Sequence, residues 1–286
     1  MKTQVFSGTS QGAAEIIKSG GLVAVPTETV YGLAGSGLNE QAVGMIYEVK
    51  GRPAVKPLSL MVHGSEAMDA LCLDVPGQAR TLAARFWPGP LTIVLKAKPE
   101  IPSIVLAGGS TVGLRCPDHP LTLELLCDCG LPLAAPSANP SGENSPKDAG
   151  KVLEYFDGKI DAVIDGGRCG LGRESTIIDM SKPPYRILRQ GALPAEDIAD
   201  ALVGGMKIIG ITGGTGCGKT TALQELEAMG ALVLDCDAIY HELLETSTEL
   251  LGEIEKRFPN TVLDGKLDRK SLGTVVFADA AALSDL

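Results

Sequence analysis

GLVAVP at residues 21–26 runs straight into PTETVYGL, Pro26 to Leu33, so a short apolar run ends in Pro, Thr and Gly. A run of that length bounded by turn residues reads as a buried strand of an α/β protein. Two further stretches answer it, KGRP at Lys50 to Pro53 and APSANPSG at Ala135 to Gly142. Each joins turn-forming residues to Thr, Ser, Asn, Lys or Arg just after a predicted buried segment, and open α/β sheets bind ligands at the ends of their strands. The pattern points to an anion-binding enzyme with its site at those ends.

Working outward, LVAV at 22–25, a helical stretch near Glu40 to Val49, LTIVL at 91–95, LTLELLCDC near 121–129 and DAVIDGG at 161–167 alternate strand and helix signals. That alternation predicts an α/β domain with a twisted open sheet. NPSGENSPKDAG, 139–150, concentrates Ser, Asn, Gly and Pro and reads as an exposed loop. A last helix is predicted over Ala195–Val203, ended by Gly204 and Gly205, after which KIIGIT opens a new strand near Met206. This strand leads into GGTGCGKT, Gly213 to Thr220, which satisfies G-x-x-x-x-G-K-[ST]. Two domains are therefore expected, 1–204 and 206–286, the second a partial P-loop α/β module.

The composition excludes several classes. A hydrophobic content of 44% with 4% aromatic suits an aliphatic α/β core rather than a disordered chain. MKTQVFSGTS lacks the apolar stretch of a secretory signal, and no window approaches the roughly 18 apolar residues of a membrane span. A cytoplasmic location and no membrane association are expected. Seven cysteines without a repeated spacing argue against a disulfide framework, and with three histidines they form no C-x-x-C or H-E-x-x-H, so a zinc site is not expected. Residues before Met206 carry net −4 and the remainder net −6, so contact with RNA would need a local basic patch.

The three opening stretches, followed in order by KPLS at Lys56, WPGPLT at Trp87, TVGLRCPDHP at Thr111, ESTIID at Glu174 and LRQG at Leu188, resemble the YrdC-type threonylcarbamoyl-AMP synthase family over roughly residues 7–200. The resemblance implies that L-threonine, bicarbonate or CO2 and ATP react to give threonylcarbamoyl-AMP and pyrophosphate, which downstream proteins transfer to tRNA. Such chemistry asks the protein to align two anions and neutralise charge, so cations, hydroxyls and amides are wanted rather than a nucleophile. By resemblance Lys50 and Arg52 are catalytic and touch ATP, together with Thr111, Ser137, Asn139, Ser145 and Arg189. Threonine is expected against Thr27, Ser59, Ala135 and Ser175, its carboxylate clamped by Arg115, with Glu28, Thr29 and Tyr31 shaping the wall. Read without the family, Lys50 and Arg52 are a cationic helix end, Ser137 and Asn139 turn residues, and Arg115 a surface salt bridge. Mg2+ is expected as the ATP counter-ion, held largely by phosphates and water. Two rival readings are carbamoyl-adenylate chemistry of the hydrogenase-maturation type and a double-stranded RNA-binding module.

From Met206 onward, IGITGGTGCGKTT, LVLDCDAIYHEL and LDGKLDRKSLGTVVF resemble the N-terminal part of dephospho-CoA kinase. The resemblance implies that Gly214, Thr215, Gly216, Cys217, Gly218, Lys219, Thr220 and Thr221 cradle phosphates, that Thr220 holds Mg2+, and that Asp237 is the base or orienter. The sequence stops at Leu286, before that family's lid arginines and adenine-binding segment, so kinase activity is not expected of it.

Overall fold

A computed structural model describes residues 2–204, 209–214, 216–263 and 265–285, apart from the side chain of Thr246. The chain divides into two compact units, Met1–Lys207 and Ile208–Leu286. In chain order the first contains β1 (Gln4–Ser7), α1 (Ala13–Lys18), β2 (Val23–Val25), β3 (Gly32–Ser36), α2 (Glu40–Lys50), β4 (Ser59–Met61), α3 (Ala67–Leu71), β5 (Cys72–Leu73), α4 (Gly77–Phe86), β6 (Leu91–Ala97), α5 (Ser103–Leu106), β7 (Thr111–Arg115), α6 (Pro120–Cys129), β8 (Leu133–Ala134), α7 (Ala149–Phe156), β9 (Ala162–Asp165), β10 (Thr176–Asp179), β11 (Arg186–Arg189) and α8 (Ala195–Val203).

These strands form one mixed open sheet in the order β1-β9-β2-β3-β8-β4-β7-β6-β10-β11, with β5 paired to β6. The predicted open α/β sheet is present, and the last helix covers Ala195–Val203. The PTETVYGL stretch holds more than the loop expected of it. Its last residues turn into β3, which returns antiparallel to β2. LTLELLCDC is the helix α6, begun by Pro at its first position and closed by Gly130 at φ 64°.

Alternation along the central strands divides the sheet into two faces. Leu60 on β4, Leu114 on β7, Ile93 on β6 and Ile178 on β10 belong to one buried apolar cluster, which also takes in Leu82 of α4 and Ile198 of α8. The opposite face of the same strands carries Ser59 and Met61, Gly113 and Arg115, Thr92 and Ile177. Each core-facing methylene withdrawn from water contributes about 0.8 kcal/mol, so the apolar face anchors these strands and the other is left to carry polar groups.

In the second unit follow α9 (Lys219–Ala228), α10 (Cys236–Thr246), α11 (Thr248–Arg257), β12 (Val262–Leu263), β13 (Lys266–Leu267), α12 (Arg269–Val276) and α13 (Ala280–Asp285). Leu244, Ile254, Phe258, Leu272, Val276 and Ala282 form its core. The predicted strand KIIGIT differs from expectation, and the apolar segment ALVLD at 231–235 behaves alike. Met206, Lys207 and Ile208 lie outside the described residues, and neither 209–212 nor 231–235 forms a ladder among them. A strand exists through its pairing, and no neighbour is described beside either segment. Ile209, Leu232 and Leu234 are accordingly 60%, 83% and 66% exposed.

Candidate functional site

The open face of the first unit holds a cavity of about 190 Å³. Pairing register builds its floor. Met61 lies opposite Arg115, and Ile177 lies opposite both Thr92 and Arg189. Since Ile93 faces Leu114, the next pair along that antiparallel ladder is Thr92 with Arg115. One row of side chains thus crosses five strands, Met61, Arg115, Thr92, Ile177 and Arg189. Beside it Gly113 keeps the floor open: a Cβ there would come within 3.1 Å of both Ser59 Oγ and Thr92 Cγ2. The site therefore lies across the face of the sheet, which corrects the expectation of strand ends. In a mixed sheet the strand ends of one direction are not gathered on one edge, so the shared element is a face.

Of the residues singled out in the sequence, Arg52, Ser59, Arg115, Ala135, Ser137, Ser175 and Arg189 line the cavity, as does Tyr31. Thr27, Lys50, Thr111, Asn139 and Ser145 are not among the lining residues. Thr92 and Glu174 line it and were missed, although Thr92 is a lone hydroxyl in the apolar run LTIVL and is 2% exposed, and Glu174 begins ESTIID.

The K-G-R element divides between two tasks. Asn39 caps α2 by accepting from the backbone N–H of Gln41 and Ala42, and Gly51 ends the helix at φ 57°. On one side of this turn Lys50 is 3% exposed, and its ammonium donates to the carbonyls of Ser137 and Asn139. Ser141 N–H donates to the Lys50 carbonyl in return, at 2.8 Å. Burial pulls the Lys50 ammonium down to about 7, with the Arg52 charge acting in the same direction. Lys50, expected on ATP, here holds the 137–141 loop from behind. On the other side Arg52 reaches the cavity, its Nη2 donating to the Pro57 carbonyl at 2.8 Å and its Nε to that of Lys56 at 3.2 Å.

Arg115 is buried and engaged. Its Nη2 lies 2.8 Å from Glu28 Oε1 and donates to Thr29 Oγ1 at 2.8 Å, while Nε donates to the Gly89 carbonyl. The Glu28 contact is ionic rather than an aligned hydrogen bond, since Glu28 Oε1 is otherwise unpaired; Oε2 accepts from Asp118 N–H. Arg115 is thus a buried ion pair facing a cavity, not the surface salt bridge. Thr27 is 1% exposed and its hydroxyl closes a turn, donating to the Val30 carbonyl at 2.6 Å, so it shapes the wall from within. Tyr31 donates to the Gly167 carbonyl, and burial raises its phenol well above the ordinary value.

On the far wall Arg189 donates twice to the Ser175 carbonyl, at 2.7 and 3.2 Å, and Ser175 Oγ pairs with Thr92 Oγ1 at 2.8 Å. Ser145 donates to Glu174 Oε1 at 2.7 Å. Asn139 donates to the carbonyls of Pro140 and Glu143, leaving its Oδ1 buried without a partner. The cavity can bind several anionic oxygens around a hydroxyl-bearing floor. Among the described residues no cluster of three or more His, Cys, Asp or Glu could hold a metal ion.

In the second unit Gly216 and Gly218 adopt φ 80° and 86°, the turn that begins α9. Lys219 Nζ donates to the carbonyls of Gly213 and Gly214, at 2.6 and 2.9 Å. Thr220 and Thr221 lie in the first turn of α9, Cys217 is exposed, and Thr215 lies outside the described residues. Asp235, not Asp237, caps α10; Asp237 is exposed in its first turn.

The Sua5/YciO/YrdC family model, described as "Telomere recombination", matches residues 15–191, and a dephospho-CoA kinase model matches 207–286. The chain is 46% identical over 196 residues to threonylcarbamoyl-AMP synthase of Pyrococcus abyssi, 68% of this chain and 57% of that one. It is 45% identical to the Bacillus subtilis protein of that name, over 67% of this chain and 56% of the other. The chain thus spans just over half the length of these relatives. A crystal structure of P. abyssi Sua5 complexed with L-threonine superposes with a TM-score of 0.68 at 42% identity, covering 73% of this chain and 63% of that one.

Proposed function

Because this chain belongs to the Sua5/YciO/YrdC family, we propose that it makes L-threonylcarbamoyl-AMP from L-threonine, bicarbonate or CO2 and ATP, releasing pyrophosphate. The observation that carries this reading is the cavity itself, where Arg52, Arg115 and Arg189 converge over a floor of Ser59, Thr92 and Ser175. Threonine offers a carboxylate and a hydroxyl, ATP a triphosphate, and the carbamate a further anion. Preorganised donors aimed at such oxygens in a site withdrawn from water stabilise charge as it moves, without reorganising.

Arg115 takes the threonine carboxylate, already fixed in direction by Glu28 and Thr29. The Thr92 and Ser175 hydroxyls, joined to each other, meet the threonine hydroxyl. Arg52 and Arg189 take the phosphates. Asn139 Oδ1, a buried acceptor without a donor, fits a hydrogen-bonding ligand such as an adenine amino group. Lys50 acts one step back, holding the carbonyls of the Ser137–Asn139 loop so that Ser137 faces the nucleotide. The carbamate oxygen attacks the α-phosphorus and pyrophosphate leaves; these residues orient the two partners and neutralise the phosphates. Mg2+ would accompany ATP, bound through phosphate oxygens and water. The product is consumed by proteins that transfer threonylcarbamoyl to tRNA in the cytoplasm, with at most weak RNA contact by this chain.

The test is mass detection of the adenylate after incubating the protein with ATP, bicarbonate and a panel of amino acids. Threonylcarbamoyl-AMP in excess over every other product is expected. Its absence with all amino acids would sink the reading.

A further inference from the structure

Three guanidinium groups line the cavity and one carboxylate, Glu174. In such a setting a carboxylate is expected to pair with an arginine, yet Glu174 forms no ion pair with any described residue. Arg189 places Nε and Nη2 on the Ser175 carbonyl and hydroxyl, and Arg115 is matched to Glu28. Glu174 is instead held by one oxygen. Ser145 Oγ donates to Oε1 at 2.7 Å, while Oε2 accepts from no other residue among those described. That bond first, then its own backbone N–H and the nearby Arg189 and Arg173 charges, holds the carboxyl below the ordinary range against its partial burial, so it is ionised at neutral pH.

The proposed reactants present carboxylate, phosphate and bicarbonate oxygens to the arginines, and one organic cation, the α-ammonium of the amino acid. We infer that Glu174 receives this α-ammonium group through its free oxygen. The inference rests on the synthase reading and deepens it. Glu174 precedes Ser175, whose hydroxyl pairs with Thr92 on the cavity floor, so the chain brings a carboxylate and a hydroxyl to neighbouring points of one wall. Facing Arg115, this wall completes three-point recognition: carboxylate on the guanidinium, hydroxyl on the paired hydroxyls, ammonium on Glu174. It makes the pocket selective for amino acids over hydroxy acids, and it sets the nitrogen where carbamate must form.

The test uses the full chain with Glu174→Gln, which keeps an oxygen for the Ser145 hydroxyl and replaces the free oxygen by NH2. A charge-assisted hydrogen bond is lost, so KM for threonine is expected to rise about tenfold or more while KM for ATP moves by less than about twofold. In calorimetry the wild-type preference for threonine over 2,3-dihydroxybutanoate, which carries a hydroxyl in place of the ammonium, is expected to collapse in the variant. Glu174→Asp, which keeps the charge, is expected to fall between the two, and thermal melts identify any variant that fails to fold. An unchanged threonine KM and preference, or a loss falling on ATP instead, overturns the assignment while leaving the synthase reading intact. A wild-type protein that makes no carbamoyl adenylate from any amino acid removes both.

Discussion

Arg115 sits at the meeting of stability and binding. With side chains of Arg115 and Glu28 only 8% and 13% exposed, either charge left alone would be buried without compensation. Arg115→Ala is expected to lose about 3–5 kcal/mol, read by denaturant unfolding, because removing one partner of a buried pair strands the other. Pairing Arg115→Ala with Glu28→Ala should restore part of that stability and none of the threonine binding; equal stability of the single and double variants would refute the coupling. Arg52 is the cleaner probe of catalysis. Within the protein its side chain holds two loop carbonyls and the Tyr47 phenol, and Arg52→Ala is expected to lower kcat about a hundredfold, the usual effect of deleting one electrostatic contact to the transition state, with a melting temperature little changed. Near-normal product formation by folded Arg52→Ala would argue against its phosphate role. The threonine hydroxyl supplies a third check. If the Thr92–Ser175 pair reads it, threonine is turned over in preference to 2-aminobutyrate, whose lost hydroxyl leaves those groups unpaired, and equal kcat/KM for the two would count against the pocket.

At the scale of the element, the end of α2 acts as a joint between helix, loop and cavity. Gly51 stands at φ 57° with open space around it, so Gly51→Ala meets no side chain and strains only the backbone. It is expected to cost about 1–2 kcal/mol, measured as a lowered unfolding midpoint. Lys50 gives a pH signature. Its folded value of about 7 lies below the ordinary 10.5, so above about pH 7 the folded chain binds fewer protons here than the unfolded chain. Stability therefore rises with pH between about 7 and the ordinary lysine value, and falls back as pH drops through 7. Lys50→Met has no such group. The stability of wild type relative to Lys50→Met should climb from pH 6.5 to 9.5 by an amount on the order of 1 kcal/mol per unit, and a flat difference would show that Lys50 is not desolvated in the folded chain. Neutral Lys50 still has two N–H groups for the carbonyls of Ser137 and Asn139, so the loop stays held as the charge is lost.

Across the whole molecule the two units differ in how much of their apolar surface they bury. The first wraps Leu60, Ile93 and Leu114 completely, whereas the second leaves Met229, Leu232 and Phe277 each more than four-fifths exposed. A unit of this size that leaves such side chains exposed buries a modest fraction of its surface and has little stability to spare. Limited proteolysis of the full chain is expected to remove the second unit first and to leave a first-unit fragment with full adenylate synthesis. A protease-resistant second unit would overturn this, as would phosphorylation of dephospho-CoA by this chain, for which Lys219 would have to leave the carbonyls of Gly213 and Gly214.

Local sequence determined the elements. Asn39 and Gly51 bound α2, Pro120 and Gly130 bound α6, and the short apolar run LTIVL marks the strand β6, because capping, left-handed turns and apolar runs act over a few residues. The order of rare strings from PTETVYGL to LRQG was enough to place the chain in its family. Only the tertiary structure decided which of those residues share a cavity. The row from Met61 through Arg115 and Thr92 to Arg189 depends on pairings between strands far apart in the chain, and a slip of one residue in register would turn each side chain to the opposite face. For the same reason sequence could not separate Lys50 from Arg52. They are two residues apart and equally cationic, and it is the turn at Gly51, packed against a loop nearly ninety residues away, that sends one ammonium beneath Ser137 and one guanidinium into the site.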